Sequence, residues 1–434
     1  MKKILRKILP RKVINFYHLV QSVLANILYG FPSRRMRVLA ITGTNGKTST
    51  AFFVASILRA GARKVGMLTT VRFVIDKKEI ANKLNMTTVN PFLLQRYLRK
   101  MCRAGCTDVV LEVTSHAIAQ HRIWGIRFDA VALTNISHDH LDYHGTIKQY
   151  VATKKQIFGG ANLVVLNKDD EYFAQFAKEA KAKVVTYGLE EKDVDVTARK
   201  ILSEPTGTTF TLLTGAGQQA IRLQTPGRFN VANALCATSL ALGKNISLSD
   251  IKTGLEAVEL IPGRMERVLL PEAKGRLNFS AIIDYAHTPD ALEKVLLALR
   301  PATRGKIIAV YGATGDRDKS KRSILGEIGG RLADVVIITD EEPYTEDPQA
   351  IINAVASGVE EGGKKGKAKK AGENFFVIKN RMDAICKAID IAGSGDVVIV
   401  TGMGDQSYKV IGQEKVPWSD RDIVAAMLRK KIAP

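Results

Sequence analysis

Several familiar signals are missing from this chain of 434 residues. It has four cysteines, Cys102, Cys106, Cys236 and Cys386, with no CxxC pair and no zinc spacing. That argues against a zinc ribbon and a disulfide framework and for reduced cytosolic thiols. Aromatic residues make up only 6%, and none is interleaved with basic residues in the pattern of a nucleic-acid reader, so no nucleic-acid partner is expected. No internal repeat is evident. No uninterrupted apolar run with a small-residue cleavage site opens the chain, which argues against a secretory signal. The first 37 residues contain no acid at all.

What is present there is basic: Lys2, Lys3, Arg6, Lys7, Arg11, Lys12, Arg34, Arg35 and Arg37. Between them runs VINFYHLVQSVLANILYGF, Val13 to Phe31, broken by Asn15, His18, Gln21, Ser22 and Asn26. A spanning helix fits this poorly. An amphipathic helix fits better, and it either packs on the next domain or another copy, or makes peripheral contact with a membrane surface. The net charge of +21 favours acidic partners such as nucleotides, phosphorylated sugars or anionic surfaces.

From Val38 onward, strand-like apolar runs alternate with helical patterns. RVLAIT, DVVLEV, DAVALTN and LVVLN predict a mostly parallel, doubly wound sheet. Asp193 to Leu223 reads as an antiparallel annex. FSAIIDY, KIIAVYG, DVVIITD, FFVIK and DVVIVTG predict a second, dinucleotide-fold-like unit, with helices starting near Pro289, Lys321, Pro348, Arg381 and Ser419. The expected class is α/β, in three parts: a basic helical segment at 1–36, a central domain at 37–262, and a C-terminal Rossmann-like domain at 263–434. Gly362 to Gly372 reads as a glycine-lysine loop.

One stretch carries chemistry by its local pattern. Gly43-Thr44-Asn45-Gly46-Lys47-Thr48-Ser49 follows a strand and opens a helix. Glycines let backbone N–H groups close on phosphate, the helix N-terminus favours the anion, Lys47 reaches the terminal phosphates, and Thr48 can ligate Mg²⁺. Ile41 stands where the strict GxxxxGK[ST] spacing has glycine, so this is a shortened loop. Glu112, His116, His121, Asp139, His140, Asp142 and His144 crowd one later segment. Glu112 and His140 fall at or beyond strand ends, where such sheets bind ligands.

GTNGKT, the Thr87-Thr88 pair, EVTSHAIAQHR, FDAVALTNISHDHLDYHGT and YVATKKQIF together resemble the Mur ligase family, and within it the muramoyl-tripeptide synthetases. GRFNVANAL, PGRMERV, DYAHTPDAL and GDRDKSKRSILG agree, and the similarity runs from about residue 37 to 434. The resemblance implies an ATP-dependent ligase that joins a free amino acid to a UDP-muramoyl-dipeptide-like carboxylate through an acyl phosphate, in the cytoplasm, as a monomer; the basic segment at 1–36 adds the inner membrane face as an alternative place. It implies Lys47 on the γ-phosphate, and Thr48 and Glu112 on one Mg²⁺. It also implies His140 on a second Mg²⁺, and Lys154 as a carbamate derived from CO₂. Asn230, Arg264, Asp284 and His287 would meet the nucleotide, and Thr87, Thr88, Ser115 and Arg122 the muramoyl dipeptide. The two threonines also suit a helix N-cap before Pro91.

Three departures from the family pattern stand out. Only about 36 residues precede the phosphate loop, so the family's N-terminal UDP-binding domain is expected to be missing. Glu341-Glu342-Pro343-Tyr344 replaces the Asp-Asn-Pro-Arg of diaminopimelate-adding members, which places Tyr344 where a guanidinium would grip a carboxylate. Gly402-Met403-Gly404-Asp405-Gln406 replaces Gly-Lys-Gly-His-Glu. Glu341, Glu342, Tyr344 and Asp405 therefore predict a lysine-like amine or another that is not diaminopimelate. Two alternatives remain from the sequence: an amidating or lipid-linked-precursor ligase of the same architecture, and a basic nucleotide-dependent binding module.

Overall fold

The computed structural model describes residues 11–432 other than 85, 205 and 274. Lys2, Lys3, Arg6 and Lys7 of the basic N-terminal run lie outside them. Two α/β units follow an N-terminal helix, Arg11–Tyr29.

The larger sheet has β1 (Arg37–Thr42), β2 (Val65–Leu68), β3 (Arg72–Ile75), β4 (Lys78–Ala81), β5 (Asp108–Glu112), β6 (Phe128–Leu133), β7 (Leu163–Asn167), β8 (Lys183–Tyr187), β9 (Val196–Glu204), β10 (Gly207–Thr214) and β11 (Gly217–Leu223). Their order is β11-β10-β9-β8-β7-β6-β1-β5-β2-β3-β4. The strands from β8 to β2 run parallel, and both ends turn antiparallel. β1 is apolar from Val38 to Ile41 because helices cover both faces, and those four residues are fully buried. The expected annex is present as β9–β11, but it continues the main sheet through the Tyr187–Val196 pair. The strands β2, β3 and β4 were not anticipated between β1 and β5, where only helices were expected. Each has four residues, and β4 is mostly exposed.

The second sheet has β12 (Glu266–Arg267), β13 (Ser280–Asp284), β14 (Ile307–Tyr311), β15 (Val335–Ile338), β16 (Phe375–Val377) and β17 (Val397–Thr401), in the order β12-β13-β17-β14-β15-β16. All its pairs are parallel except β12–β13. The five expected helices begin at Pro289, Lys321, Pro348, Arg381 and Asp420. The helix from Pro348 runs to Lys364, so the first residues of the glycine-lysine stretch are helical rather than loop. A small hairpin, β18 (Tyr408–Ile411) with β19 (Glu414–Pro417), was not foreseen. In each unit, hydrophobic cores lie on both faces of the sheet.

β1 lies between β5 and β6, so the connections leaving its carboxyl end diverge. That crevice is the switch point at which sheets of this kind hold ligands, and the phosphate loop opens into it.

Candidate active site between two sheets

The loop after β1 is held by glycine and by β6. Gly43 has φ +146°, and a Cβ there would lie 1.9 Å from Thr134 Oγ1; Gly46 has φ +82°, and a Cβ would lie 2.2 Å from Asn233 Oδ1. A side chain at either position would be strained and would also clash. Thr44 N donates to Asn135 O (2.8 Å), and Thr134 Oγ1 donates to Asn45 O (2.6 Å). The helix Lys47–Ala60 then starts without a side-chain cap, which leaves its first N–H groups for a ligand. Lys47 Nζ is folded back on its own loop, donating to Gly43 O (3.1 Å) and Thr44 O (2.7 Å). Burial lowers its pKa against the pull of Glu112 and Asp139.

Beside the loop stands an oxygen-rich corner. Thr48 Oγ1 donates to Glu112 Oε1 (2.9 Å), and Thr70 N donates to Glu112 Oε2 (2.6 Å). Glu112 is fully buried at the end of β5. His140, in the left-handed region at φ +55°, has Nε2 3.3 Å from Asp139 Oδ2. Burial depresses the His140 pKa, with Lys47 and Lys154 adding to it against Asp139. Asp139 is itself buried, which favours its neutral form, but His140, His287 and Lys321 outweigh that and hold it ionised. His116 packs edge-on to His140 with centroids 4.7 Å apart, and burial, then His140, pushes it down to about 3.

Lys154 is 1% exposed. Its Nζ donates to Gly43 O (2.8 Å) and Thr42 Oγ1 (3.2 Å), so it reaches the loop from beneath. Burial, and then the charge of Lys47, drives its pKa well below the ordinary lysine value.

The donor set fits a magnesium ion: a buried carboxylate and a hydroxyl are hard oxygen ligands. Among the described residues no group of three or more His, Cys, Asp or Glu side chains could enclose a metal. An ion at Thr48 and Glu112 would therefore complete its shell with phosphate oxygens and water, as magnesium at nucleotide sites does.

The second sheet supplies the opposite wall. Asp284 ends β13 and accepts from Met265 N (2.6 Å) and Ala286 N (2.7 Å); burial raises its pKa against Arg264. The Arg264 guanidinium lies 4.4 Å from the Tyr285 ring centroid and 3.4 Å from Asp405 Oδ1. His287 Nδ1 lies 2.8 Å from Tyr285 O, and burial, then Lys321, lowers it to about 4. Side chains already cross the cleft: Asn45 Nδ2 donates to Asp290 Oδ2 (2.8 Å), and His138 Nε2 lies 3.1 Å from Asp318 Oδ2.

One cavity of about 1110 Å³ joins these walls. Lining it are Thr44 to Ser49, Thr87, Thr88, Glu112, Arg122, His140, Arg264, Asp284, His287, Glu341, Glu342 and Tyr344. Gly43, Ser115, Lys154, Asn230 and Asp405 are not in its wall. Gly43 and Lys154 lie directly behind it. Ser115 is buried, 2.9 Å from His144 Nε2. Asn230 donates to Pro226 O (2.8 Å) within its own helix start, and Asn233 faces the cavity instead. Thr87 Oγ1 lies 2.8 Å from Thr70 Oγ1, Thr88 Oγ1 donates to Glu112 O (2.9 Å), and Arg122 Nη1 donates to Thr88 O (2.7 Å). Neither threonine caps a helix: Asn90 does, accepting from Leu93 N (3.1 Å).

At the far end, Glu341 Oε1 accepts from Thr314 Oγ1 (2.6 Å), while Oε2 is buried without a partner. Burial, and then Glu341, lifts Glu342 to about 7. Tyr344 has φ +50°, and the Arg317 guanidinium lies 5.8 Å from its ring centroid. Arg317, Lys321, Thr70 and Asn233 also line the cavity and were not singled out from the sequence as site residues, while His116, named in the histidine and carboxylate cluster, lines it as well. Arg317 and Lys321 sit in GDRDKSKR and Asn233 in GRFNVANAL, so the signal was there. No local pattern distinguished them from solvated neighbours.

Residues 41–241 match the Mur ligase middle domain and residues 263–404 the glutamate ligase domain of Mur ligases. The chain is 35% identical over 409 residues to the UDP-N-acetylmuramoyl-L-alanyl-D-glutamate–2,6-diaminopimelate ligase of Clostridium botulinum, covering 94% of this chain and 81% of that one. It is 37% identical over 427 residues to the UDP-N-acetylmuramyl-tripeptide synthetase of a Roseiflexus species, with coverage of 94% and 81%. A solved UDP-N-acetylmuramoyl-L-alanyl-D-glutamate–2,6-diaminopimelate ligase superposes with a TM-score of 0.63 at 28% identity, over 92% of this chain and 79% of that one. The chain belongs to the Mur ligase family and is an ATP-dependent ligase.

Proposed function

We propose that this Mur ligase extends a UDP-muramoyl dipeptide by one amino acid in peptidoglycan precursor synthesis, working as a cytoplasmic monomer. The observation that carries the reading is a single cavity. It brings the phosphate loop, the Thr48–Glu112 corner and His140 to face Thr87, Thr88 and Arg122, with Glu341 and Glu342 at its far end.

A carboxylate at neutral pH is a poor electrophile with no usable leaving group. Attack of its oxygen on the γ-phosphorus of ATP forms a bond to phosphorus and breaks the bond to ADP. The resulting acyl phosphate is open to an amine. The amine adds to the carbonyl carbon, the tetrahedral centre collapses, phosphate leaves, and the ammonium proton passes to solvent. Negative charge gathers at each stage, so fixed cations and N–H donors carry the catalysis.

Lys47 exchanges its two loop carbonyls for the γ-phosphate, and the uncapped helix start receives the neighbouring oxygens. Thr48 and Glu112 would hold Mg²⁺, which would supply charge neutralisation at the phosphoryl oxygens, and His140 would serve a second ion. Arg122, Thr87 and Thr88 hold the dipeptide. Arg264, Asp284, His287 and, from its helix start, Asn230 serve the nucleotide. Ser115 acts on the dipeptide through its neighbours. Lys154 meets the condition for carbamylation, since an amine must be neutral to attack CO₂ and burial beside Lys47 favours that form. The carbamate would convert a cation behind the loop into an anion suited to a metal.

For the incoming amine, Glu341 and Glu342 favour a cationic side chain such as that of lysine or ornithine, with Tyr344 and Asp405 at the pocket's edge. One observation favours a second reading. Arg317 stands over Tyr344 and offers a guanidinium near the position vacated by the family's arginine, which would suit the distal carboxylate of diaminopimelate. Phosphate release with UDP-N-acetylmuramoyl-L-alanyl-D-glutamate, run against a panel of amino acids, tests both. Lysine or ornithine as the best substrate supports the first reading, diaminopimelate supports the second, and no release with any amine removes the ligase assignment to this substrate.

A further inference from the structure

The N-terminal helix is built the wrong way round for a helix that serves only to pack on its own domain. Its inward face carries His18, Ser22, Ala25 and Asn26, all buried. Ser22 Oγ donates to His121 O (2.7 Å) and Asn26 Nδ2 donates to Trp124 O (2.8 Å). Arg99 Nη1, from the supporting helix Pro91–Arg103, donates to Tyr29 O (2.7 Å). These bonds fix the helix's rotation about its axis. The outward face carries Val13, Phe16, Tyr17, Val20, Leu24, Ile27 and Leu28, and Phe16, Ile27 and Leu28 are 66%, 62% and 67% exposed. At 100° per residue these seven positions fall within an arc of about 120°, a continuous apolar stripe running the length of the helix. A single exposed leucine is ordinary, but a stripe of seven large apolar side chains marks a contact surface.

Charge decides between occupants. Arg34 and Arg35 are exposed just beyond the C-terminal end of the helix, and residues 1–37 hold nine basic side chains and no acid. The supporting helix, PFLLQRYLRKMCR, adds Arg96, Arg99, Lys100 and Arg103, again with no acid. A second copy docked on the stripe would bring like charge to like at either end, in parallel or antiparallel array. An anionic lipid surface offers hydrocarbon for the stripe and phosphate for its flanks. No helix among the described residues is long and apolar enough to cross a membrane, so the contact is one of lying on the surface.

We propose that the stripe from Val13 to Leu28 seats this ligase on an anionic phospholipid bilayer, with the helix lying in the interfacial plane. The basic residues at its ends and on the supporting helix would rest among the headgroups. The proposal does not depend on the ligase reading, because binding is scored without turnover.

The test is co-sedimentation of the full chain with vesicles of phosphatidylcholine alone or mixed equally with phosphatidylglycerol. It is run for the natural sequence and for the triple variant Phe16→Glu, Leu24→Glu, Leu28→Glu, whose positions are exposed and outside the cavity. The expected result is binding to the mixed vesicles that weakens with salt, little binding to neutral ones, and at least about a tenfold loss in the variant. The melting temperature should be the same for both proteins and serves as the check that the variant is folded. No binding to the mixed vesicles, or equal binding by the variant, overturns the proposal. So does a vesicle-free dimer of the natural sequence that the variant abolishes, which would identify a second copy as the occupant.

Discussion

Lys47 and Lys154 donate to the same acceptor, the carbonyl oxygen of Gly43, from 3.1 and 2.8 Å. Two ammonium groups sharing one oxygen in a buried site repel each other, and that repulsion adds to desolvation in lowering the pKa of Lys154. Lys47 has an alternative partner when a phosphate arrives. Lys154 has none in the cavity wall, so it is the one of the pair suited to carry CO₂. The expected outcome for protein equilibrated with ¹³C-bicarbonate is a carbamate carbonyl signal in the NMR spectrum that is absent from Lys154→Ala. Ligase turnover should fall in that variant by on the order of a hundredfold. A variant with full turnover, or a carbamate signal that survives the substitution, contradicts this role.

Glu112 makes its case through metal dependence. It is fully buried, and its hydrogen-bond partners are the Thr48 and Thr70 hydroxyls and the Thr70 N–H. Glu112→Gln keeps the shape and removes the charge. The Mg²⁺ concentration for half-maximal turnover should rise about ten- to a hundredfold, with the melting temperature measured in parallel to separate folding from metal binding. An unchanged Mg²⁺ requirement would place the ion elsewhere.

Glu342 carries a pH signature. Burial, followed by Glu341, lifts its pKa from 4.5 to about 7, so across that window the folded protein keeps a proton that the unfolded chain has released. Stability from this group is full below pH 4.5 and is lost as pH rises to 7. Glu342→Gln removes the slope. Between pH 4.5 and 8 the variant should gain on the order of 3 kcal/mol relative to the natural sequence, read by denaturant unfolding. A bound lysine side chain, by supplying the missing cation, should flatten the slope of the natural protein. A slope untouched by the substitution would assign it to other groups.

Tyr344 tests the choice of amine. Tyr344→Arg restores the guanidinium of the diaminopimelate-adding pattern beside Arg317. If Glu341 and Glu342 select a cationic side chain, the ratio of kcat/KM for diaminopimelate over lysine should rise by about tenfold or more, since a bidentate carboxylate contact is worth roughly 1.5–3 kcal/mol. A ratio that stays fixed or falls places the selecting group elsewhere in the pocket.

The alternation of apolar strands with capped helices made both parallel cores legible, because a strand buried on two faces leaves an unbroken apolar run such as VVL in β5 or VVIV in β17. The phosphate loop was legible from its glycines for a physical reason: Gly43 and Gly46 admit no side chain. Short edge strands were not legible. The residues of β4, KEIA, are mostly solvated, and β18 and β19 form a two-stranded hairpin outside both main sheets, yet Tyr408 and Val410 of β18 reach the cavity. Arg317 and Lys321 were hidden because only the fold brings them into the cavity wall, where Lys321 Nζ donates to His287 O and Arg317 stands by the Tyr344 ring. The outward stripe of the N-terminal helix was half legible. Its polar interruptions were visible in the sequence, but only the bonds of Ser22 and Asn26 show that the polar side faces in.

The most direct measurement is phosphate release and amide formation, followed together in the natural protein and in Lys47→Ala, with ATP, Mg²⁺, the UDP-muramoyl dipeptide and the preferred amine. The account predicts that release in the natural protein requires both the dipeptide and the amine. It also predicts a drop on the order of a thousandfold in the variant with its fold retained. Undiminished ATP-driven amide formation by Lys47→Ala would contradict it.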